Sequence, residues 1–393
     1  MKKTKKFSSQ PFEQRLSLFA GSRLVLRLDL NVPVAGGQVL DDFKLRIALP
    51  TLRLLRKSSP LVVITHLGQP PKNTPLSSVK YSTAPLARWL KQKMGGKIFS
   101  AEGNFSDLLR QAKDLQVGEI MVMPNVRLLA GETENDSKLA ARLARLGEVY
   151  INDAFAVSHR AHASVEAIAD YLPVYPGPRL LEECLNLNNV ISPKKPLVVV
   201  LGGAKISTKL PLIKSLAPKA EKLLIGGGIA NTEIYFKGYE IGGSLYDHSV
   251  TLRQTEVYDK VLSLPVDLTV LSGKVKSIKK VGFLNKHDVI VDIGPKTAEN
   301  YRKIIANAST VFWNGPVGIF EKKYGQEGSR VIARAMVEAS AKGCFTCIGG
   351  GETVAAARRL AAVSKVSWLS TGGGASVSYI AGVKMPGLKR LTI

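Results

Sequence analysis

LVVVLGGAKIS at Leu197–Ser207 is a β-branched apolar run that stops at two glycines and passes into small, cationic and hydroxyl residues. Three later stretches repeat the pattern with a glycine triplet: KLLIGGGIANT at Lys222–Thr232, CFTCIGGGETVAAA at Cys344–Ala357 and VSWLSTGGGAS at Val366–Ser376. A strand, a glycine turn and residues suited to starting a helix together predict a βα turn. Glycine lets the backbone approach a ligand and a helix N-terminus attracts anions, so four such turns predict a site for one large phosphate-bearing ligand. Any one of them alone is explained equally well as a tight turn without a ligand.

Length and composition narrow the class of protein. A chain of 393 residues is too long for one ordinary hydrophobic core, so two domains are expected. The content of 45% apolar and 22% charged residues is typical of a folded protein, and no apolar stretch reaches the roughly 18–20 residues of a membrane span. The N-terminal residues MKKTKKFSSQPFEQ are basic but lack an apolar core, so they predict a solvated tail and not a secretion signal.

The charge is strongly positive, because 55 Lys and Arg against 31 Asp and Glu give a formal net charge of +24. Such an excess favours anionic ligands and is also compatible with nucleic-acid binding. However, the basic residues are spread along the chain, only 7% of residues are aromatic, and no helix-turn-helix, zinc-finger or RNA-recognition signature is present. We expect no specific nucleic-acid partner, and nucleic-acid binding stays open as the less favoured alternative.

Three cysteines cannot form a disulfide framework. Cys344 and Cys347 have the C-x-x-C spacing of some zinc and redox sites, but no second pair of Cys or His with matching spacing accompanies them. Their apolar flanks favour buried strand residues, and Cys184 stands alone. Free buried cysteines indicate a reducing compartment, so a cytoplasmic location is expected.

Short apolar runs alternate with amphipathic segments in the first half of the chain. The predicted strands are Leu24–Leu28, Leu61–Thr65, Ile120–Met123 and Val149–Ile151, and the predicted helices are Asp41–Lys57, Ala84–Met94, Phe105–Ala112 and Ser137–Leu146. This alternation predicts a parallel sheet covered by helices on both faces. It resumes after Leu197, beyond a proline-rich stretch and a helical segment at Leu181–Ser192. We therefore predict an α/β fold of two doubly wound, Rossmann-like parallel-sheet domains joined by one helix.

Polar residues follow the predicted strands of the first half. LVLRLDLNVP places Arg27, Asp29 and Asn31 at alternating positions, which predicts that they share one face of a strand. Further candidates follow in the order Arg46, His66, Arg127 and Arg160. Ligands of open parallel sheets bind beyond the carboxyl ends of the strands, and guanidinium groups bind carboxylate and phosphate bidentately, so a basic anion site is predicted. Each arginine alone is more simply a surface ion pair, and His159 with His162 is more simply a packing pair than a metal site.

The stretch GGAKISTK places Lys205 and Lys209 four residues apart, directly after a glycine turn. If a helix starts there, both ammonium groups lie on one face near its N-terminus and can reach a polyphosphate. The chain has neither a G-x-x-x-x-G-K-[ST] loop nor the glycine-rich loop and H-R-D motif of protein kinases. A phosphate site of another kind is therefore predicted.

Taken together, the motifs of both halves resemble those of the phosphoglycerate kinases. They are LRLDLNVP, THLGQP, NVR, YINDAF followed by SHRAHAS, LGGAKISTK, LLIGGGIANT, VDIGPKT, VFWNGPVGIFE, IGGGETVA, STGGGAS and MPG. They occur in family order from about Leu24 to Leu388, so the resemblance covers nearly the whole chain. VFWNGPVGIFE and the YINDAF–SHRAHAS pair are long and highly specific.

This resemblance implies reversible phosphoryl transfer between ATP and the carboxylate of 3-phosphoglycerate, giving 1,3-bisphosphoglycerate and ADP. The residues that it implies for the triose phosphate are Asp29, Asn31, Arg46, His66, Gly68, Gln69, Arg127 and Arg160. Those that it implies for the nucleotide are Gly203, Lys205, Lys209, Gly227, Gly228, Ile290, Asn314, Pro316, Glu321, Gly350, Gly351, Glu352 and Thr353. Glu352 is the implied Mg²⁺ ligand, directly or through water, and Glu321 is implied to contact the ribose. The residues implied to stabilise the transferring phosphoryl group are Arg46, Lys205, Gly372 and Gly373.

The resemblance also implies a division of the chain. It gives a triose-phosphate domain at residues 1–172, a hinge helix at 173–196, a nucleotide domain at 197–375 and a segment at 376–393 that returns to the first domain. Members of this family work by hinge closure, which aligns the reactants and excludes water. The attacking group is already a carboxylate, so no general base is needed. A monomer is expected from the resemblance alone.

Several positions depart from the family pattern. Gln69 replaces the arginine of H-L-G-R-P, and a lost charged contact to the triose phosphate corresponds to roughly 1.5–3 kcal/mol, with Lys72 as a nearby substitute. Other departures are Pro124 before NVR, Thr208 for the Asp of S-D-K, Glu352 for the Asp of GGGD, and Ile290 where glycine is common. These changes leave open a second interpretation, in which the chain is a catalytically weakened family member that acts as a binding protein.

Overall fold

The structure is a computed structural model that describes residues 12–249, 251–252 and 260–391. Residues 1–11 of the predicted N-terminal tail lie outside this described part. The chain divides into two compact units: unit 1 comprises Met1–Leu185 and Lys384–Ile393, and unit 2 comprises Asn186–Val383. The division falls inside the helix predicted as the connector, and the finer boundaries given above stay predictions.

Unit 1 contains the first half of the chain. Its strands are β1 (Leu24–Arg27), β2 (Val34–Ala35), β3 (Gln38–Val39), β4 (Leu61–Ile64), β5 (Ile98–Ser100), β6 (Ile120–Val122), β7 (Val149–Asn152) and β8 (Val174–Pro176). Its helices are α1 (Phe43–Leu55), α2 (Ala84–Met94), α3 (Phe105–Lys113) and α4 (Ser137–Ala144), and α5 (Pro178–Ile191) continues into unit 2. The strands and helices predicted for this half are confirmed, with shifts of a few residues at their ends.

A six-stranded parallel sheet forms the centre of unit 1, in the order β5-β6-β4-β1-β7-β8. Both faces of the sheet are covered, because successive residues of β1 enter different cores. Leu24 packs with residues of α1 and α2 on one face, whereas Val25 packs with residues of α3 and α4 on the other. This is the doubly wound arrangement that the alternation of apolar runs predicts.

Helix starts in unit 1 follow local capping chemistry. Asn104 caps α3 by accepting hydrogen bonds from the amides of Ser106 and Asp107, while the Asp107 carboxylate accepts from the Asn104 amide. Asp136 caps α4 by accepting from the Leu139 amide at 2.6 Å. These caps fix where each helix leaves the sheet, and therefore where the loops at the sheet edge begin.

The C-terminal segment belongs to unit 1 although its sequence follows unit 2. The Gly387 amide donates to the Ser158 carbonyl at 2.9 Å, and the Gly387 carbonyl accepts from Asn152 Nδ2 at 3.0 Å. A side chain at position 387 would lie 3.0 Å from Ser158 Cα, so the segment packs closely beside the end of β7. The C-terminal segment thus returns to unit 1 from Lys384 onward, whereas residues 376–383 of the predicted segment belong to unit 2.

Unit 2 contains a second parallel sheet and a smaller antiparallel one. Its strands are β9 (Leu197–Leu201), β10 (Lys222–Ile225), β11 (Leu262–Ser263), β12 (Asp267–Ser272), β13 (Val275–Lys280), β14 (Asp288–Ile293), β15 (Thr310–Asn314), β16 (Phe345–Gly349) and β17 (Trp368–Ser370). Its helices are α6 (Leu210–Leu216), α7 (Gly227–Phe236), α8 (Pro295–Ala306), α9 (Glu327–Ala341), α10 (Gly351–Leu360) and α11 (Gly374–Ile380). The order is β11-β10-β9-β15-β16-β17 in the parallel sheet and β13-β12-β14 in the antiparallel sheet.

Cys184, Cys344 and Cys347 are buried and form no disulfide, as predicted. Within the described ranges, no group of three or more His, Cys, Asp or Glu side chains is arranged to hold a metal ion. None of the described helices combines the length and the apolar composition that crossing a membrane requires.

Candidate functional site

The candidate residues of unit 1 lie at one edge of its sheet. The strands are parallel and in register, with Arg27 of β1 opposite Ile64 of β4 and Asn152 of β7. Their carboxyl ends therefore meet at the same edge. The loops after these ends bear the predicted residues: Asp29 and Asn31 after β1, His66, Gly68 and Gln69 after β4, Arg127 after β6, and Arg160 after β7.

Arg27 itself does not belong to this group. β1 ends at Arg27, so the prediction that Arg27, Asp29 and Asn31 share one strand face was wrong. The Arg27 guanidinium is buried and donates to Ser164 Oγ at 3.0 Å and to the Leu28 carbonyl at 2.6 Å. Asp29 and Asn31 reach the sheet edge from the following loop instead.

Asp29 forms the central ion pair of the edge. Its Oδ2 lies 2.6 Å from Lys44 Nζ, and its Oδ1 accepts from the Asn31 amide at 3.2 Å. Burial on its own raises the pKa of Asp29, but the charge of Lys44, the electrostatic influence of His66 and the two hydrogen bonds outweigh it, so the pKa is lowered. Asp29 is therefore an ionised carboxylate that fixes a lysine at the sheet edge.

Lys44 was not among the predicted site residues, and the Arg46 side chain pairs with Asp42 and not with a residue of this edge. The Arg46 side chain is 65% exposed, and its Nε donates to Asp42 Oδ1 at 2.8 Å within the first turn of α1. Residues two apart in a helix point about 200° apart, so Lys44 and Arg46 occupy different faces. The predicted catalytic role of Arg46 has no support in these contacts, and Lys44 is the cation of α1 placed beside the other candidates.

Gly68, in the loop after β4, forms hydrogen bonds with the loops after β1 and β6. Its amide donates to Asn31 Oδ1 at 2.8 Å, and its carbonyl accepts from Arg127 Nη1 at 2.7 Å. Asn125, which the sequence argument did not single out, accepts from the Arg127 amide at 3.1 Å and donates to the Leu67 carbonyl at 2.7 Å. Asn31, Gly68 and Arg127 are therefore brought together by hydrogen bonds before any ligand is considered.

His66 is a buried and neutral member of the edge. Burial lowers its pKa well below the ordinary value, Asp29 opposes this, and Arg27, Arg127 and Lys44 reinforce it. Its Nδ1 is buried without a hydrogen-bond partner in the described residues. A buried polar atom without a partner is costly, so the Nδ1 of a neutral His66 has an unused capacity to form one hydrogen bond.

A cation-rich cavity of about 520 Å³ adjoins these loops. Its polar lining includes Gln69, Lys72, Arg127, Arg160 and His162. Burial lowers the pKa of Arg127, and the nearby charge of Arg160 lowers it further, so the two guanidinium groups repel each other. Burial likewise lowers the pKa of His162 to about 4, with Arg160 contributing. An anion in the cavity would relieve this repulsion, which is the electrostatic requirement of a phosphate site.

The glycine turns of unit 2 also lie at one sheet edge. Leu201 is opposite Ile225 and Asn314, Asn314 is opposite Gly349, and Gly349 is opposite Ser370. The four turns that follow β9, β10, β16 and β17 are therefore side by side with the loop after β15. The prediction of βα turns is confirmed for all four.

Asn314, at the end of β15, connects the neighbouring turns. Its Oδ1 accepts a hydrogen bond from Lys209 Nζ, and its Nδ2 donates to the Gly349 carbonyl at 2.7 Å. Gly350 has a φ of +97°, and a Cβ there would lie 2.9 Å from Asn314 Nδ2. Thr353 Oγ1 accepts from the Gly315 amide at 2.7 Å. Hydrogen bonds thus join Asn314 to Lys209 and to Gly349, and Thr353 to Gly315, while Gly350 packs closely beside Asn314.

In the turn after β10, packing leaves no space for a side chain at Gly228. A Cβ at Gly228 would lie 2.3 Å from the Ala204 carbonyl oxygen, so the turns after β9 and β10 contact each other through backbone. The Gly203 amide donates to the Pro316 carbonyl at 2.9 Å, and the Gly227 amide donates to the Val317 carbonyl at 2.9 Å. At Gly228, close approach of the backbone therefore explains glycine without a ligand.

The two lysines of GGAKISTK, Lys205 and Lys209, differ in how deeply they are buried. Helix α6 begins only at Leu210, so the prediction that Lys205 and Lys209 share one helix face was wrong. Lys205 is exposed within the turn, whereas Lys209 is partly buried. Burial lowers the pKa of Lys209, and the charge of Glu352 opposes this. The hydroxyl of Thr208 bonds the Lys205 carbonyl at 2.9 Å, which favours a turn over a first helical residue at this point.

The other predicted residues of unit 2 have mixed positions. Glu352 is exposed in the first turn of α10, Glu321 is exposed after β15, and Gly372 and Gly373 directly precede α11. Ile290 lies instead on β14, where it packs in the core of the antiparallel sheet with residues such as Val270, and its amide donates to Ser244 Oγ at 2.8 Å. Its predicted place beside the nucleotide stays a prediction.

The side chains near the predicted Mg²⁺ ligand Glu352 show whether this part of unit 2 suits a magnesium ion. Glu352 provides one exposed carboxylate within electrostatic reach of Lys209. A single carboxylate suits Mg²⁺, which keeps several waters and takes its remaining ligands from substrate phosphates. The residues therefore fit a cation delivered with a nucleotide and not one held in a protein cage.

Comparison with known proteins identifies the family of this chain. The phosphoglycerate kinase family model matches residues 15–383. A phosphoglycerate kinase of Chloroflexus aggregans is 39% identical over 389 residues, covering 95% of this chain and 96% of that protein. One of Roseiflexus sp. is 38% identical over 388 residues, covering 95% and 97%.

Solved structures give the same result. The structure of phosphoglycerate kinase from Coxiella burnetii matches with a TM-score of 0.82 and 33% identity, covering 94% of this chain and 96% of that chain. That of phosphoglycerate kinase from Pyrococcus horikoshii matches with a TM-score of 0.79 and 27% identity, with the same coverage of 94% and 96%. This chain belongs to the phosphoglycerate kinase family.

Proposed function

We propose that this chain is a phosphotransferase that moves a phosphoryl group reversibly between ATP and the carboxylate of 3-phosphoglycerate, giving ADP and 1,3-bisphosphoglycerate. The observation that carries the proposal is family membership over residues 15–383, with 39% identity to a phosphoglycerate kinase along almost the full length. The two sheet edges support it, because one is rich in cationic side chains and the other in glycine turns.

Unit 1 binds the triose phosphate in this proposal. Its phosphate enters the cavity lined by Lys72, Arg127 and Arg160, where it relieves the repulsion between the two guanidinium groups. Lys44, fixed by Asp29, faces the carboxylate end, and neutral His66 donates a hydrogen bond. Lys72 lines the same cavity as Gln69, which supports its proposed role as a substitute for the missing arginine.

Unit 2 binds the nucleotide. The glycine turns present backbone amides to the phosphates, and Lys209, anchored by Asn314, adds a positive charge. Glu352 would hold Mg²⁺, directly or through water, and the ion would supply positive charge to the nucleotide phosphates. Lys205 is exposed in its turn, and in this proposal it contacts the phosphoryl group that is transferred.

The chemistry is an in-line displacement. A carboxylate oxygen of 3-phosphoglycerate forms a bond to the γ-phosphorus as the bond to the bridging oxygen breaks, and ADP leaves with that electron pair. No proton has to be removed from the nucleophile, so the residues act by alignment and by stabilising charge. Closure about α5, a monomeric state and a cytoplasmic location accompany the proposal as predictions.

A coupled assay tests the proposal. The chain is supplied with 3-phosphoglycerate, ATP and Mg²⁺, and NADH oxidation is followed through glyceraldehyde-3-phosphate dehydrogenase. We expect turnover that is lost without 3-phosphoglycerate and strongly reduced in Lys205→Ala. Binding of Mg²⁺-ATP without turnover in the folded chain would support the binding-protein interpretation instead.

A further inference from the structure

Asp247 is a buried carboxylate of unit 2 that the proposed mechanism does not use. It lies in the loop after α7 and is 9% exposed. Its Oδ2 accepts from the Ser207 amide at 3.2 Å and from Ser207 Oγ at 2.8 Å. Its Oδ1 accepts from the Ser249 amide at 3.1 Å and from Ser249 Oγ at 2.6 Å. Both oxygens are therefore fully engaged, one of them with the turn that contains Lys205.

The backbone of the same residue reaches a second glycine turn. The Asp247 amide donates to Thr232 Oγ1 at 2.9 Å, and that hydroxyl donates to the Gly228 carbonyl at 2.7 Å. Nearby, Asn231 Nδ2 donates to the Leu245 carbonyl at 2.9 Å. One loop thus ties the turn after β9 to the start of α7, because Asp247 bonds Ser207 directly and Gly228 through the hydroxyl of Thr232.

Within the Lys205 turn, the backbone is also held by the bond from Thr208 Oγ1 to the Lys205 carbonyl and by that from the Lys209 amide to the Ile206 carbonyl, and both of these bonds lie inside the turn. Ile206 is buried and anchors the chain on one side of Ser207, while Lys205 and Thr208 are exposed. In the described part of the chain Lys205 makes no ion pair of its own. The position of its ammonium group is therefore set by the backbone of the turn, and at Ser207 that backbone is bonded to a carboxylate from another loop.

We propose that Asp247 is a positioning residue for phosphoryl transfer, which acts by holding Ser207 and thereby fixing the turn that presents Lys205. This inference rests on the proposed function, because it assigns Lys205 to the moving phosphoryl group. The hydrogen bonds to the two serines hold the pKa of Asp247 well below its usual range, so it stays an acceptor at all physiological pH values.

Asp247→Asn is the first test, measured in the coupled assay on the full chain. An amide has one acceptor oxygen, so it can keep either the Ser207 pair or the Ser249 pair but not both. A misplacement of about 1 Å can cost about a hundredfold in rate. We expect kcat to fall about tenfold or more, while KM for ATP changes less than about threefold.

Two further variants separate positioning from loss of stability. Asp267→Asn alters another buried carboxylate of unit 2, which accepts from Thr297 and Lys296 at the start of α8. It should lower the Tm and leave kcat unchanged well below that Tm. Ser207→Ala removes only the hydroxyl half of the contact on an exposed side chain, so it should fold and lower kcat by a smaller factor than Asp247→Asn.

A double-mutant cycle with Lys205→Ala decides the matter. If Asp247 acts through Lys205, Asp247→Asn should change kcat less than about twofold in the Lys205→Ala background. The same fold-loss in both backgrounds, or an unchanged kcat for both Asp247→Asn and Ser207→Ala in an active enzyme, overturns the inference alone. Absence of turnover in the unmodified chain overturns the proposed function, and this inference with it.

Discussion

The edge of unit 1 and the edge of unit 2 occupy the same position in two similar parallel sheets but offer a ligand different groups. At the edge of unit 1 the functional atoms belong to charged side chains, with the Asp29–Lys44 pair at 2.6 Å and a cavity lined by Arg127 and Arg160. At the edge of unit 2 they belong mostly to backbone, in four turns with two or three glycines each. A small, highly charged ligand is suited to the first, and a large phosphate-bearing ligand to the second.

The same contrast decides how each edge responds to substitution. In unit 1 a changed side chain such as Lys44 removes a charged contact. In unit 2 a side chain added at Gly228 moves the backbone, because the turns after β9 and β10 already touch at Gly228 and Ala204. Charge variants therefore test unit 1, and both a charge variant and a backbone variant test unit 2.

The largest effect is expected for Lys205→Ala, since it removes the one unit 2 cation that is proposed to contact the phosphoryl group in transfer. A cationic group in that role is worth about 10³ or more in kcat for other phosphoryl transfers. We expect kcat to fall by about that factor with little change in the Kd for Mg²⁺-ATP. Steady-state kinetics and calorimetric titration measure the two quantities.

A loss of ATP affinity equal to the loss of kcat would assign Lys205 to ground-state binding, the role proposed for Lys209. Lys214 of α6 is exposed and provides a matched surface control, because Lys214→Ala removes the same charge from the same unit.

The next largest effect is expected for Gly228→Ala, which should lower the free energy of unfolding. Its Cβ would lie 2.3 Å from a backbone oxygen of Ala204, which cannot move as a flexible side chain does. Overpacking of this kind costs about 1–3 kcal/mol in the free energy of unfolding. Urea denaturation of the variant and of the unmodified chain measures the difference.

Gly351→Ala is the comparison for that measurement. Position 351 has open space around an added Cβ, and it lies in the first turn of α10. Alanine favours helix over glycine by about 1 kcal/mol, so the free energy of unfolding should be unchanged or higher. Equal destabilisation by the two variants would mean that contact between the turns is not what requires Gly228.

How far the sequence alone could predict these edges differs between the units. The glycine turns were predictable, because a strand, a glycine and a helix start are all local signals along the chain. The antiparallel sheet β13-β12-β14 was not predicted, because its pairing depends on contacts that short apolar runs do not reveal. The start of α6 was predicted too early, because the bond from Thr208 to the Lys205 carbonyl holds a turn where the spacing allows a helix.

In unit 1 the sequence predicted the loops but not every side chain in them. Lys44 and Arg46 are two residues apart in a cationic helix, and which of them faces the sheet edge depends on the start of α1 at Phe43. No local signal distinguishes them, since both are long cations. Asn125 was missed for a related reason, because its function is to hold Arg127 and the Leu67 carbonyl and not to contact a ligand.

Lys44→Ala and Arg46→Ala, compared side by side, test that assignment. Without Lys44 the Asp29 carboxylate, whose side chain is only 12% exposed, loses its partner and repels the substrate carboxylate. We expect kcat/KM for 3-phosphoglycerate to fall about 10- to 50-fold, which corresponds to a lost charged contact of about 1.5–2.5 kcal/mol. Steady-state kinetics with varied 3-phosphoglycerate provide the measurement.

Arg46→Ala should change kcat/KM less than about twofold, because an exposed ion pair within one helix turn contributes little. If Arg46→Ala is the more damaging variant, the residue implied by the family resemblance is right and the contacts of α1 change when the substrate binds.

The smallest effect is expected for Gln69→Arg. Gln69 lines the same cavity as Lys72, Arg127 and Arg160, so a guanidinium there would add a charged contact to a phosphate that already has three cationic neighbours. Each added cation also increases the repulsion among those neighbours in the free enzyme, which lowers the net gain. We expect KM for 3-phosphoglycerate to fall several-fold and kcat to stay within about twofold, because binding of the remote phosphate is the same in the ground and transition states.

Lys72→Ala in the unmodified chain should raise the same KM, and Gln69→Arg should then restore it. If Gln69→Arg leaves KM unchanged while Lys72→Ala raises it, Lys72 already replaces the family arginine completely. If neither variant changes KM, the triose phosphate does not bind in this cavity, and the contrast between a side-chain edge in unit 1 and a backbone edge in unit 2 loses its functional meaning.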